Sequence, residues 1–179
     1  MYELLIQHIA QLIADYSLGM AGQLWAVGRR YLSGRTLIER TEDIWQYSGS
    51  AIIAITTNGS VAKNGKAIIG RGVARQAAER YEALAETLGN MITLHGNHVH
   101  YLGHSLVSFP VEETAWSYPD LRIIARSAKE LRTLADSSGW RQIVVPRPGC
   151  GGGGLDWPEV KPLLEPWYDE RFIVIHQPT

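Results

Sequence analysis

Residues 141–157 read RQIVVPRPGCGGGGLDW, a strand, a glycine-rich loop and a helix start in direct succession. Residues 142–145 form a short, mostly apolar and β-branched run, which predicts a buried strand, and two prolines then end its pairing. Asp156 and Pro158 are typical of the cap and first turn of a helix. Bare backbone N–H groups beside the positive end of a helix can close on an anion. The segment therefore predicts a phosphate or diphosphate cradle, with a plain linker as the alternative.

Composition limits the class of protein. The 179 residues are enough for one domain with a sizeable core, and 45% hydrophobic with 20% charged residues is an ordinary globular mixture. The net charge of -1 disfavours binding to extended duplexes, so no sequence-specific nucleic-acid partner is expected. Cys150 is the single cysteine, which rules out an internal disulfide and favours a reducing, cytoplasmic location. The composition leaves the oligomeric state open.

The first 33 residues predict a helical extension that packs on a main domain of residues 34–179. Apolar residues recur there at helical spacing, at Tyr2, Leu5, Ile9, Leu12, Ile13 and Tyr16. The segment carries Glu3, lacks a basic leader region and is too short to span a bilayer, so neither a signal peptide nor a membrane partner is expected. A partner-binding or membrane-surface helix is the alternative for this apolar face.

The rest of the chain alternates strand and helix patterns. Residues 50–57 are nearly all apolar, which indicates a strand buried on both faces of a parallel sheet, whereas residues 36–44 alternate as an edge strand does. Further elements are predicted as a helix from about residue 70 to 88, strand at 98–101 and 106–109 ended by Pro110, a helix over 117–135 ended by Gly139, a helix from 156 broken at Pro162 and Pro166, and a last strand at 172–175. The pattern predicts an α/β fold with helices on both faces of a mixed, mostly parallel sheet.

A second glycine-bearing helix start lies at Gly70-Arg71-Gly72. Because the carboxyl ends of parallel strands meet at one edge of a sheet, it and the loop at Gly149 can converge on one diphosphate. The segment is no dinucleotide fingerprint, since Arg75 stands where the third glycine belongs, and the chain has no Walker loop.

Three motifs, in order and spacing, resemble the macro domain family, the ADP-ribose-binding fold. They are most similar to its branch of ADP-ribose-1''-phosphate phosphatases, terminal ADP-ribose glutamate hydrolases and macro domains of DNA ADP-ribosylation antitoxins. Residues 146–157 match a P-x-x-G-C-G-x-G-G-L-x-W loop, residues 69–74 match M-G-x-G-I-A, and residues 42–45 match G-D-I/L. The resemblance covers residues 36–176 and implies a three-layer α/β/α sandwich.

The resemblance also implies the roles of individual residues. The Asp43 carboxylate would accept a hydrogen bond from the adenine amino group, with the Ile44 backbone beside it, and Thr57 and Asn58 would approach the distal ribose, the one without adenine. The ligand would be ADP-ribose, free or on a macromolecule, with no cofactor. The diphosphate would lie between two segments, Gly70, Arg71, Gly72 and Val73 on one side and Pro148, Gly149, Cys150, Gly151, Gly152, Gly153, Gly154 and Leu155 on the other.

The chain departs from the resemblance at the positions that would do chemistry. Family hydrolases carry a lysine in F-P-T-K after the third strand, where this chain has Glu112, and an aspartate in the glycine loop, where it has Gly153. The phosphatase branch tends to carry a histidine in the first loop, and residues 58–66 have none. Hydrolysis and turnover-free binding both remain open, with Asn58 and Asp156 as catalytic candidates, Asp156 being more simply a helix cap.

Two other groups of residues suggest chemistry. His95, His98, His100 and His104 fall within ten residues and could hold zinc, but surface histidines of a strand explain them equally well, and no metal site is predicted. The position of Cys150 before a helix predicts a lowered thiol pKa, with tight packing under the loop as the alternative to a nucleophile.

Overall fold

The structure is a computed structural model that describes residues 37–176; the extension predicted for residues 1–33 lies outside them. The elements, in chain order, are β1 (Ile38–Thr41), a 3-10 helix (Ile44–Tyr47), β2 (Ile52–Asn58), α1 (Val73–Arg80), α2 (Leu84–His95), β3 (Tyr101–Gly103), β4 (Leu106–Glu112), α3 (Leu121–Ser138), β5 (Ile143–Pro146), α4 (Trp157–Leu164) and β6 (Phe172–His176).

The six strands form one sheet in the order β1-β6-β5-β2-β4-β3. Every neighbouring pair is parallel except β3 and β4, which confirms the mixed, mostly parallel sheet. β1 lies at an edge, as its alternating pattern predicted, and β2 lies inside the sheet, as its continuous apolar run predicted.

Two hydrophobic cores cover the two faces of the sheet. Successive residues of β2 point to opposite faces, so Ala54 joins the core that includes α3 and α4. Ile53 and Ile55 join the other core, which includes the 3-10 helix, α1 and α2. Layers of helix, sheet and helix result, as expected for the α/β/α sandwich.

Pro110 does not end β4, contrary to the sequence prediction. It lies inside the strand and is paired in register with Thr57 of β2. Ser108, two residues earlier, points its N–H away from β2 toward the His100 carbonyl oxygen at 2.9 Å. Position 110 shares that side, so the N–H that proline lacks is not one of the bonds to β2. The β4 strand therefore continues to Glu112, at the side of the sheet where the parallel strands have their carboxyl ends.

Several predicted bounds also change. The first strand ends at Thr41, and the chain turns into a 3-10 helix because the Asp43 carboxylate caps it. The helix predicted through residue 88 breaks between Arg80 and Leu84, because Tyr81 takes an extended conformation that ends α1. α3 begins at Leu121, where Asp120 supplies the cap, and α4 continues through its second proline because Val160 and Leu164 are fully buried.

Gly89 of α2 lies directly against the loop that leads to α1. A Cβ at Gly89 would stand 2.1 Å from the carbonyl oxygen of Gly65 and 2.7 Å from the amide nitrogen of Ala67. The Ala67 amide also donates to the Ala85 carbonyl oxygen at 2.7 Å. The absence of a side chain at position 89 therefore sets how closely α2 approaches this loop.

Among residues 37–176, no helix has both the length and the apolar character needed to cross a bilayer.

Candidate functional site

A cleft of about 1000 Å³ opens at the carboxyl ends of the parallel strands. The ends of β2, β4, β5 and β6 all contribute to its lining, as do the loops that follow them. This is the place where ligands collect in open α/β sheets, because strands run into loops and helix N-termini there. Both glycine segments that the sequence singled out line this cleft.

The glycine loop between β5 and α4 is a compact turn that needs glycine at defined positions. Gly149 has φ +73°, and a Cβ there would meet Leu155 at 2.7 Å. A Cβ at Gly153 would meet Pro119 at 2.5 Å and the Gly149 carbonyl oxygen at 2.6 Å. Position 152 has room, with the Arg71 guanidinium as its nearest neighbour at 3.5 Å. The loop is thus tight at its base and open toward the cleft.

The loop leaves consecutive backbone donors free. Cys150, Gly154 and Leu155 direct their amides to carbonyl oxygens of the same turn. The amides of Gly151 and Gly152 donate to no acceptor within residues 37–176. Adjacent unpaired N–H groups in a turn form an anion-binding concavity, which agrees with the cradle expected from the sequence.

The second segment ends in a helix N-terminus. Gly72, with φ +61°, is the residue before α1, and no side chain caps that helix. Its first amides therefore have no partner inside the helix, and the positive end of the helix dipole lies at the cleft. Arg71 reaches across to the other segment, with its Nη2 3.5 Å from the Gly152 carbonyl oxygen. The two segments therefore face each other closely enough for one side chain to bridge them.

Glu39 of β1 anchors the glycine loop from below. Its carboxylate accepts hydrogen bonds from Arg147 Nη2 at 2.9 Å, Trp157 Nε1 at 2.8 Å and Lys161 Nζ at 2.7 Å. Burial acts to raise the pKa of Glu39, but the hydrogen bonds from Lys161, Arg147 and Trp157 outweigh it and lower the pKa. One carboxylate thereby ties the edge strand to both ends of the loop, a role that the sequence prediction missed.

The thiol of Cys150 is not activated, and the prediction of a lowered pKa is wrong. Burial raises the pKa of Cys150 to about 11. The Sγ atom lies 3.4 Å from the Pro148 carbonyl oxygen, as a weak donor would. Although a helix begins seven residues later, the thiol packs against the core under the loop, and burial disfavours the thiolate. The structure thus agrees with the alternative interpretation, in which Cys150 packs tightly under the loop.

Asn58 lines the cleft, but its amide is already engaged. Its Nδ2 donates to the Ile68 carbonyl oxygen at 3.0 Å, and its Oδ1 accepts from the Ser60 amide at 2.9 Å. Asn58 and Thr57 are both buried at the end of β2. The side chain of Asn58 therefore holds the loop over residues 58–68 in place. Glu112, paired with Asn58 at the end of β4, also lines the cleft.

Asp43 and Ile44 lie beyond the end of β1 and outside the cleft lining. Asp43 is exposed, and its Oδ1 accepts the Trp45 amide at 3.0 Å, which is a local capping contact at the start of the 3-10 helix. Ile44 is fully buried. Thr41 is paired in register with His176, which does line the cleft, so Asp43 is two residues beyond a strand end adjoining it.

An aromatic loop between β4 and α3 was missed by the sequence prediction. Trp116 is 80% exposed and Tyr118 is 88% exposed, and both line the cleft. The loop is fixed at its base, because the Gly59 amide donates to the Glu113 carbonyl oxygen and the Ala115 amide donates to Ser60 Oγ. Large aromatic groups at this exposure are unusual, and the only signal for them was their position after a strand end.

The histidine cluster does not form a metal site. His98 Nδ1 lies 2.8 Å from a Glu130 oxygen, and His100 Nε2 lies 2.9 Å from the Gly96 carbonyl oxygen. In the part of the chain that the structure describes, no three His, Cys, Asp or Glu side chains converge as metal ligands would.

The expected residues divide into those that line the cleft and those that do not. Pro148 and Gly154, like Asp43 and Ile44, are outside the lining. Asp156 is inside it, exposed, at the N-cap position of α4 but without a capping hydrogen bond from its carboxylate. The remaining expected residues in the lining are Thr57, Asn58, Gly70, Arg71, Gly72, Val73, Gly149, Cys150, Gly151, Gly152, Gly153 and Leu155.

Several solved structures with a similar fold are macrodomains. The macrodomain of Mycobacterium tuberculosis DarG is similar with a TM-score of 0.65 and 19% identity, covering 82% of this chain and 100% of that one. The Thermus aquaticus DarG macrodomain is similar with a TM-score of 0.64 and 21% identity, covering 81% of this chain and 100% of that one. Thermosipho africanus DarTG in complex with ADP-ribose is similar with a TM-score of 0.61 and 15% identity, covering 78% of this chain and 42% of that one. No protein-family model and no curated protein matches the chain. The chain has the macro domain fold.

Proposed function

We propose that residues 37–176 bind ADP-ribose, either free or attached to a macromolecule, with the diphosphate between Gly70–Val73 and Gly149–Leu155. The observation that carries the proposal is the meeting of two bare-backbone anion sites in one cleft, bridged at 3.5 Å by Arg71 and Gly152. Backbone amides and a helix N-terminus can neutralise a diphosphate without a basic surface, which suits a net charge of -1. A protein of the same fold has been solved with ADP-ribose.

The sheet supplies a span for the ligand, and the roles that the family resemblance implies supply its direction. Strands are about 4.8 Å apart, so the ends of β1 and β4, four strands apart, are about 19 Å from each other. The diphosphate segments lie between these two ends. With the roles that the resemblance implies, adenine lies toward Asp43 beyond β1, and the distal ribose lies toward Thr57 and Asn58 at the end of β2, beside the end of β4. An extended ADP-ribose molecule can bridge such a span.

Calorimetric titration with ADP-ribose, AMP and ribose 5-phosphate tests the binding proposal. We expect ADP-ribose to bind well above the other two, since only it places a diphosphate in the cradle with an anchored group at each end. Equal affinities for AMP and ADP-ribose would contradict the proposal.

Gly152→Val tests the loop directly. A Cβ at position 152 contacts only Arg71, at 3.5 Å, so valine fills the open side of the cradle while the fold stays intact. We expect this variant to lose ADP-ribose binding and to keep its melting temperature. Ser138→Val, at the exposed end of α3 and outside the cleft lining, is the control that should leave both unchanged. Normal affinity in folded Gly152→Val would mean that the loop is only a linker.

Hydrolysis of the bound group is the second candidate function. Asp156 lines the cleft, and its carboxylate makes no capping bond, so it is free to orient a water molecule. Release of ADP-ribose from ADP-ribosylated protein and DNA, compared between the wild type and Asp156→Asn, tests this role. Binding without release in the wild type would leave a module that holds ADP-ribose without turnover.

A further inference from the structure

Glu112 is the carboxylate at the β4 end of the cleft, and within residues 37–176 it accepts no hydrogen bond and forms no ion pair. It is the last residue of β4, where a register shift brings it opposite Asn58. Its backbone carbonyl oxygen accepts a bond from Asn97 Nδ2 at 2.9 Å. Across residues 37–176, no donor hydrogen-bonds its side chain and no cation lies within 4.0 Å of it. Because the amide of Asn58 is engaged, Glu112 is the charged group at this end that is left to meet a ligand.

The electrostatic surroundings of Glu112 favour a donor and oppose an anion. Burial raises the pKa of Glu112, and the charge of Arg71 opposes that rise. The other titratable side chains that line the cleft are Arg75, Tyr118, Arg147, Cys150, Asp156 and His176. Since Arg71 also reaches toward Gly152, a diphosphate in the cradle would draw on the same guanidinium. A partly desolvated carboxylate would then face any further negative charge with little compensation.

We propose that Glu112 selects ADP-ribosyl groups whose distal ribose carries a hydrogen-bond donor at C1'' and excludes the 1''-phosphate. This inference rests on the proposed function, because the direction of the ligand places the distal ribose at the end of β4. ADP-ribose itself satisfies the condition, since its 1''-hydroxyl can donate to the carboxylate. A phosphate in that place brings two oxygen-borne negative charges to the same carboxylate.

Paired titrations of ADP-ribose and ADP-ribose-1''-phosphate at pH 7.5 measure the selection. We expect wild type to prefer ADP-ribose by about a hundredfold or more, the scale for unit charges near 5 Å at an effective dielectric constant of about 20. Glu112→Gln keeps the shape and removes the charge, so the preference should fall to about threefold or less. Glu113→Gln is the matched control, because Glu113 is the exposed neighbour whose side chain is outside the cleft lining.

The outcomes separate the two proposals. Failure of both ligands to bind would overturn the binding proposal and this inference with it. Binding of both ligands with equal affinity by wild type would overturn only the selection, and that measurement requires no variant to fold. A preference that persists unchanged in folded Glu112→Gln would assign the selection to another group. Lowering the pH toward the raised pKa of Glu112 should narrow the preference more in wild type than in Glu112→Gln, in which only the 1''-phosphate, with a pKa of about 6, still titrates.

Discussion

Replacement of Asp43 separates a structural role from a ligand-binding role, because its two carboxylate oxygens have different surroundings. Oδ1 accepts the Trp45 amide at 3.0 Å and caps the 3-10 helix. Oδ2 makes no hydrogen bond within the described residues and is available to an adenine amino group. Asp43→Ala removes both functions, whereas Asp43→Ser retains a capping oxygen and removes only the second one.

The structure sets the size of each effect. Loss of a cap costs about 0.5–2 kcal/mol of stability, and the lower half applies because Asp43 is exposed. The helix keeps its position, since Trp45 is buried and its Nε1 donates to Gln76 at 2.6 Å. A hydrogen bond from adenine to a carboxylate contributes about 1.5–3 kcal/mol. Loss of that bond weakens the binding of ADP-ribose by about ten- to a hundredfold.

The assay is a titration of each protein with ADP-ribose and with its inosine counterpart, which has no amino group at the six-position. Wild type should prefer ADP-ribose, and both variants should lose the preference. The melting temperature of Asp43→Ala should be a few degrees below that of wild type, and the melting temperature of Asp43→Ser should stay near the wild-type value. A preference that survives in both variants would refute the adenine assignment and leave Asp43 as a cap alone.

Three further predictions concern the loop and its support. Cys150 should alkylate with iodoacetamide about a hundredfold more slowly at pH 8 than an unburied cysteine, because burial raises its pKa to about 11; rapid labelling at pH 8 would contradict this. Gly153→Val should lower the melting temperature, unlike Gly152→Val, because a Cβ at 153 meets Pro119 and backbone at 2.5–2.6 Å; equal melting temperatures of the two would show that the loop relaxes. Glu39→Gln should destabilise the fold by about 1–3 kcal/mol at pH 7. Because the folded-state pKa of Glu39 is lowered, its contribution is present at neutral pH and is lost as the pH falls through that pKa, so urea unfolding at pH 7 and pH 3 should show the difference shrinking.

Features carried by neighbouring residues could be predicted from the sequence. The order strand, glycine loop and helix start is written in consecutive residues, and the structure places it as expected between β5 and α4. The nearly all-apolar run over residues 50–57 likewise identified an inner strand. Parallel strands bring their carboxyl ends together, so the meeting of the Gly70 and Gly149 segments in one cleft also followed.

Features that depend on distant partners could not be predicted in this way. Glu39 meets Arg147 and Lys161, more than a hundred residues away, and nothing local marks it as an anchor of the loop. The pKa of Cys150 depends on burial by the whole core rather than on its place near a helix. Pro110 is tolerated because of which side of β4 its missing N–H faces, a matter of register.

The contact at Gly89 makes a helix outside the cleft lining part of the support of one cleft wall. The loop from Asn58 to Gly70 rests on α2 at this point, and position 89 leaves no room for even a methyl group. Any larger residue there pushes the loop backbone or tilts the helix, since the obstructing atoms belong to the main chain. The affinity of the site therefore depends on a helix that lies outside the cleft lining, because α2 fixes the position of the loop. Substitution of Gly89 by residues of increasing size would therefore weaken binding by degrees while every lining residue stays unchanged.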